Sequence, residues 1–171
     1  MAISTGKEKI REMKRMVIHV NLTDIIDGIE CQSVENTSYL NRRSGEVVLI
    51  SDYEMRAAEQ NDLIEDFPDW EQDQVRIARE INNGSVDYIP LPTKFDIDEY
   101  GMMERFCLSV ENTKISDILY DLIKGSGAFR RFKDAIHKYG VADDWYRYRN
   151  DALKEIAIEW CRENNIAFDN D

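Results

Sequence analysis

The sequence has little of what marks membrane, metal-binding or disulfide-linked proteins. It contains no apolar run of about 18 residues, so no segment predicts a membrane-spanning helix. It has three cysteines and no C-x-x-C pair, which excludes a zinc cage of the usual spacing and a disulfide framework. No cofactor, metal or catalytic residue is predicted. The apolar neighbours of the cysteines predict small core residues at all three positions: Cys31, Cys107 and Cys161.

Basic charge is also scarce, and its distribution is uneven. The net charge is −12, which opposes non-specific binding of nucleic acid. Residues 1–15 are basic, but charged side chains interrupt them, so they lack the apolar segment of a secretion signal. They predict an N-terminal tail on a cytoplasmic protein. The oligomeric state stays open.

Two internal stretches differ sharply in charge. Residues 52–73 hold nine Asp or Glu and one Arg, whereas residues 124–149 hold seven Lys or Arg and three Asp. The basic stretch therefore offers the best lead to a contact surface. An internal match between the two stretches is the alternative.

The hydrophobic patterns predict an α+β fold in a single domain over residues 16–171. Residues 38–41 and 46–50 form a hairpin, with Gly45 in the left-handed turn position, and residues 86–90 add a third strand. This small antiparallel sheet occupies a lobe over residues 16–92. Residues 93–171 form a helical lobe, whose four helices pack against the sheet.

Apolar spacing also predicts which side chains face the core. The helix over residues 69–82 has an inner stripe of Trp70, Ile77, Ala78 and Ile81. A later helix has its stripe at Phe129, Phe132, Ile136 and Tyr139. The last helix, residues 143–164, has an aromatic stripe that includes Trp145, Tyr148 and Trp160.

A glycine turn precedes one of these helices and carries the first site hypothesis. Gly125-Ser126-Gly127 exposes backbone N–H groups at a helix start, a geometry that binds phosphate. Arg130 and Arg131 would add bidentate contacts to the same anion. The alternative is structural: Gly125 ends one helix, and Gly127 allows the next helix to approach closely.

Aromatic and basic residues alternate after this turn, as they do on surfaces that stack bases. Since helical spacing places Trp145 and Tyr148 in the core, Tyr146 and the neighbouring arginines are the surface candidates. The predicted ligand- or partner-binding residues are Gly125, Gly127, Arg130, Arg131, Lys133, Tyr146, Arg147 and Arg149.

Catalysis has little support in the sequence. His137, with Asp134, Asp143 and Asp144, is a conceivable oxygen-rich metal site, but its spacing is looser than that of usual ligand sets. Asp143 or Asp144 also has a sufficient role as the N-cap of the last helix.

Several blocks of the sequence resemble a bacterial family that is catalogued as uncharacterised (the UPF series). The most specific block is Gly127-Ala128-Phe129-Arg130-Arg131-Phe132-Lys133-Asp134. Others are Ser38 to Arg42 with Gly45-Glu46-Val47, Leu91-Pro92 with Phe95 to Tyr100, Asp143 to Tyr146, and Ala157 to Cys161. The resemblance covers about residues 17–168 and implies a single real domain, but no activity.

The sequence thus favours a small cytoplasmic binding or regulatory protein that contacts a protein partner or an anion through residues 125–149. An RNA- or nucleotide-binding module is the alternative, although the net charge disfavours it. A metal-assisted hydrolase around His137 is a third hypothesis.

Overall fold

The structure, a computed structural model, describes residues 18–169. They form two compact units. The first contains the described residues up to Leu91 and those from Ala157 onward, and the second runs from Pro92 to Ile156. The predicted basic tail, residues 1–15, lies outside the described residues.

The first unit contains a short parallel strand pair, β1 (His19–Asn21) and β5 (Ala167–Asp169). Between them in sequence, α1 (Leu22–Cys31) begins at Asn21, whose side chain accepts a hydrogen bond from the backbone N–H of Thr23 at 2.6 Å. Strand β5 was not predicted, because three residues are too few to show an alternating pattern.

The first unit also contains the predicted three-stranded antiparallel sheet, which is confirmed. Its strands β2 (Asn36–Asn41), β3 (Val47–Ser51) and β4 (Tyr88–Pro90) lie in the order β3-β2-β4. Gly45 has a φ of 79° in the β2–β3 loop, the left-handed conformation that favours glycine. Strand β4 is shorter than predicted, and Val86 before it is 80% exposed.

Two helices pack beside this sheet, α2 (Asp52–Gln60) and α3 (Asp69–Asn82), with a 3₁₀ turn (Ile64–Asp66) between them. One buried cluster joins the two helices and the connecting segment, and another joins the helices to β3. The clusters consist of Ala57, Phe67 and Val75, and of Ile50, Ala58 and Ala78.

The predicted burial of Trp70 is wrong: its side chain is 75% exposed. Trp70 shares a side of α3 with Ile77 and Ile81, which pack against the cluster around Ile50. Trp70 lies about two turns before Ile77, whereas the central buried positions of the helix are Val75 and Ala78. The stripe is therefore covered only in the second half of the helix.

The second unit is helical. Its helices are α4 (Lys94–Ile97), α5 (Glu99–Ser109), α6 (Thr113–Leu122), α7 (Ala128–Lys138) and α8 (Ala142–Glu163), the last of which continues into the first unit. Helices α5 to α8 confirm the four predicted helices of the C-terminal half, and α4 is a single turn before them. Within residues 18–169 no helix is long and apolar enough to cross a membrane.

The predicted N-cap role of Asp143 and Asp144 is wrong. Both lie inside the first turn of α8 and do not precede it, whereas Asn112 does precede and cap α6.

Trp145 lies at the centre of an aromatic cluster in the second unit. Its ring centroid is 4.8 Å from that of Phe132 and 5.3 Å from that of Phe106, in edge-to-face contacts. Phe129 does not share this core and is 51% exposed, so its predicted burial is wrong. The buried face of α7 is centred on Ala128, Phe132, Ala135 and Ile136, which leaves Phe129 at the margin.

We expect Gly28→Ala to lower the free energy of unfolding by about 1 kcal/mol. A Cβ atom at Gly28 would lie 2.6 Å from Leu91 Cδ1 and 2.7 Å from Val47 Cγ1, both in the same unit. Overpacking typically costs about 1–3 kcal/mol, which exceeds the helix-propensity gain of about 1 kcal/mol. Urea denaturation checks the sign, and a more stable variant would contradict this contact.

Candidate functional site

The turn before α7 contains two glycines in the left-handed backbone conformation. Gly125 and Gly127 have φ values of 80° and 76°, so both need the left-handed freedom of glycine. Gly127 is the N-cap of α7, without a side-chain cap. The two glycines therefore set the direction of the chain between α6 and α7.

A guanidinium group occupies the interior of this turn. Arg131 Nε donates to the carbonyl oxygen of Leu122 at 2.9 Å, Nη1 to that of Ser126 at 2.5 Å and Nη2 to that of Lys124 at 2.8 Å. The Leu122 oxygen ends α6, where the helix dipole is negative, and the other two belong to the turn that follows. The turn thus surrounds a cation with carbonyl oxygens, a polarity opposite to that of a phosphate cradle. Arg131 has a sufficient structural role.

The exposed side of α7 carries basic and aromatic side chains. Arg130 and Lys133 are exposed, and neither forms an ion pair with any described residue. Phe129 lies beside them at half exposure, four residues before Lys133 and therefore on the same helical side. We call these three residues the α7 strip. Phe129 is absent from the predicted binding residues because its spacing to Phe132 and Ile136 indicated the core, whereas the actual core positions Ala128 and Ala135 leave it at the margin.

Tyr146 lies near the end of α7. It is 47% exposed, and its ring centroid lies 6.4 Å from that of His137. His137 follows Lys133 by four residues, so it continues the same side of α7. Tyr146 thus extends the aromatic surface from α7 onto the first turns of α8.

The two predicted arginines of α8 are engaged with carboxylates. Arg149 Nε donates to Glu99 Oε1 at 3.0 Å and is 25% exposed, so its charge is largely used within the unit. Arg147 lies 3.7 Å from Asp144 and lines a cavity of about 630 Å³. Glu111 and Asp151 line it as well. This acidic lining makes the cavity unsuitable for an anion.

The metal hypothesis around His137 gains no geometric support. Among residues 18–169, no group of three or more His, Cys, Asp or Glu side chains is placed to hold a metal ion. Asp134 and His137 are on adjacent turns of α7, and both side chains are exposed.

The three cysteines differ, and the predicted burial of Cys31 is wrong. Cys31 is exposed because it lies on the side of α1 opposite the buried Ile25 and Ile29. Cys107 and Cys161 are buried, and desolvation raises the pKa of each thiol to about 11. Burial and the raised pKa both oppose formation of the reactive thiolate.

We therefore expect one of the three thiols to react rapidly with a disulfide reagent at pH 8. The other two should react only after unfolding in denaturant, because they are buried and protonated at that pH. Cys31→Ser should abolish the rapid phase. Two rapid thiols in the folded parent would contradict the burial of Cys107 or Cys161.

Residues 13–171 match the model of a family described as Uncharacterised protein family (UPF0158). The chain belongs to this family. A UPF0158 protein of Pseudomonas aeruginosa is 33% identical over 67 residues, which cover 39% of this chain and 44% of that relative. The match thus spans less than half of the relative's length. No solved structure matches the chain significantly. Membership confirms the resemblance to an uncharacterised family, and the family description carries no activity.

Proposed function

We propose that this member of the family is a binding protein, and that the α7 strip contacts an acidic segment of a protein partner. The observation that carries the proposal is an exposed phenylalanine ring beside two basic side chains that pair with no described acid. Interfaces use such aromatic anchors together with arginine.

The arginines differ in how far their charge is already used within the protein. Arg131 already donates to three carbonyl oxygens, and Arg149 already pairs with Glu99. Arg130 and Lys133 carry the available positive charge, while Phe129 supplies apolar area. Gly125 and Gly127 belong to the site through the turn that starts α7. Tyr146 widens the surface.

An acidic protein segment fits this strip better than a nucleic acid does. Nucleic-acid binding depends on neutralising many phosphates, whereas the strip offers two basic side chains on a protein of net charge −12. The second unit also contains 12 Asp or Glu against 11 Lys or Arg, so the unit is not basic as a whole. RNA binding through Phe129 and Tyr146 is the competing outcome.

The test is capture from a lysate of the source cells on immobilised protein, with and without nuclease. A bound protein should survive nuclease, be lost with Arg130→Gln/Lys133→Gln, and be weakened by Phe129→Ala. Lys94→Gln/Lys114→Gln is the matched control, because it removes two exposed positive charges elsewhere in the same unit. It should bind as the parent does.

Two results would contradict the proposal. Equal capture by the parent and the strip variant would show that the partner binds elsewhere. If capture disappeared after nuclease treatment, the α7 strip would be an RNA-binding surface.

A further inference from the structure

Trp70 is the exposed member of the three tryptophans. Its side chain is 75% exposed, whereas Trp145 and Trp160 are 6% and 9% exposed. Leu63, seven residues before Trp70, is 65% exposed, and Tyr53, whose ring contacts that of Phe67, is 56% exposed. Large apolar side chains that remain in water lose the stabilisation of burial, and a group of them marks an interaction surface.

The segment over residues 61–70, which carries Leu63 and Trp70, is held in place by its contacts with α2 and α3. Phe67 is buried, and its ring centroid lies 6.0 Å from that of Tyr53. The Gln72 side chain donates to the Phe67 carbonyl oxygen at 3.0 Å, and Arg79 donates to the Asp62 carbonyl oxygen. Trp70 follows Phe67 by three residues, so the anchors lie on both sides of it. Leu63 and Trp70 are therefore presented by a fixed segment, and Tyr53 by the neighbouring α2.

The segment over residues 61–70 contains acidic but no basic side chains, and Arg79 of α3 contacts its backbone. Four exposed carboxylates lie within the same segment, and none forms an ion pair with a described residue: Asp62, Glu65, Asp66 and Asp69. A negative charge in the first turn of α3 complements the helix dipole, which explains Asp69. It does not explain the other three, which precede the helix.

We propose that Tyr53, Leu63, Trp70 and the four carboxylates form a docking surface for an arginine-rich segment of a partner protein. Arginine suits both parts of this surface. Its planar cation stacks on tryptophan and tyrosine faces, and it pairs with carboxylates through two parallel hydrogen bonds. We call this surface the acidic–aromatic patch. It has the opposite charge to the α7 strip and lies in the other unit. The two proposals can therefore be tested independently.

The test uses a labelled ten-residue peptide with four arginines separated by alanines, and a matched peptide with four lysines. Anisotropy should show tighter binding of the arginine peptide, and the bound peptide should shield Trp70 from acrylamide quenching. Trp70→Ala should weaken the arginine peptide at least tenfold and remove most of its preference over the lysine peptide. Glu65→Gln/Asp66→Asn should weaken both peptides.

Glu155→Gln/Glu159→Gln is the matched control, since it removes two exposed negative charges on α8. It should bind as the parent does. Equal weakening by this control, or equal binding by the parent and Trp70→Ala, would overturn the proposal, because binding would then be unspecific attraction to an acidic protein. Circular dichroism and melting temperature check that each variant is folded.

A second copy of the chain is the competing occupant. In sedimentation velocity without peptide, we expect the parent and Trp70→Ala to show the same state of association. If the parent formed concentration-dependent dimers and Trp70→Ala did not, the proposal of a partner segment would be overturned. The patch would then be a self-association surface.

Discussion

Replacing Trp145 by alanine is expected to lower the free energy of unfolding by about 3–5 kcal/mol, the usual cost of truncating a buried aromatic side chain. The ring is 6% exposed and contacts Phe106 and Phe132 edge-on. Such aromatic pairs contribute beyond their buried area, and removal of the ring leaves a cavity between Phe106 and Phe132 that adds to the cost. Urea denaturation at fixed pH measures the loss.

The adjacent residue provides the control. Tyr146 lies in the same helix but is 47% exposed, so Tyr146→Ala should cost less than about 1 kcal/mol, as surface substitutions usually do. If Trp145→Ala cost as little, the aromatic cluster would not be the core of the second unit.

Local chemistry made the sheet predictable from the sequence. The β2–β3 hairpin follows from a glycine at the left-handed turn position between two runs of strand-forming residues, and Pro90 limits the third strand. The start of α1 is equally local, because the Asn21 side chain accepts a hydrogen bond from the backbone N–H of Thr23. In these cases the deciding interaction lies within a few residues of the chain.

The errors share one physical origin. Trp70, Phe129 and Cys31 each lie near apolar residues in sequence, yet each is exposed. Helical spacing gives the direction of a side chain but not whether another element covers that turn. Strand β5 depends on pairing with a strand about 150 residues earlier, which no local pattern records.

The candidate site shows the same limit. Counting charges identified residues 124–149 as a basic internal stretch of an acidic chain. It could not separate Arg130 from Arg131, which are adjacent but on different sides of α7. The separation depends on carbonyl oxygens at the end of α6 and in the turn just after it, which accept hydrogen bonds from Arg131.

This difference leads to the second large expected effect. Arg131→Gln should lower the free energy of unfolding by about 2 kcal/mol, because hydrogen bonds to charged groups contribute about 1.5–3 kcal/mol and solvent reduces that contribution here. The three carbonyl oxygens of Leu122, Lys124 and Ser126 would lose their shared donor. Arg131→Lys should recover only part, since an ammonium group lacks the planar fork.

Arg130→Gln is the matched control: it removes the same charge one residue away, from an exposed side chain without an ion pair to any described residue. It should change stability by less than about 0.5 kcal/mol, as surface substitutions do, while weakening capture of the partner. Arg131→Gln should show the opposite pattern, with lowered stability and, below its melting transition, near-parent capture. If instead Arg131→Gln kept full stability and lost capture, the guanidinium would belong to the binding surface, and the structural role of this turn would be wrong.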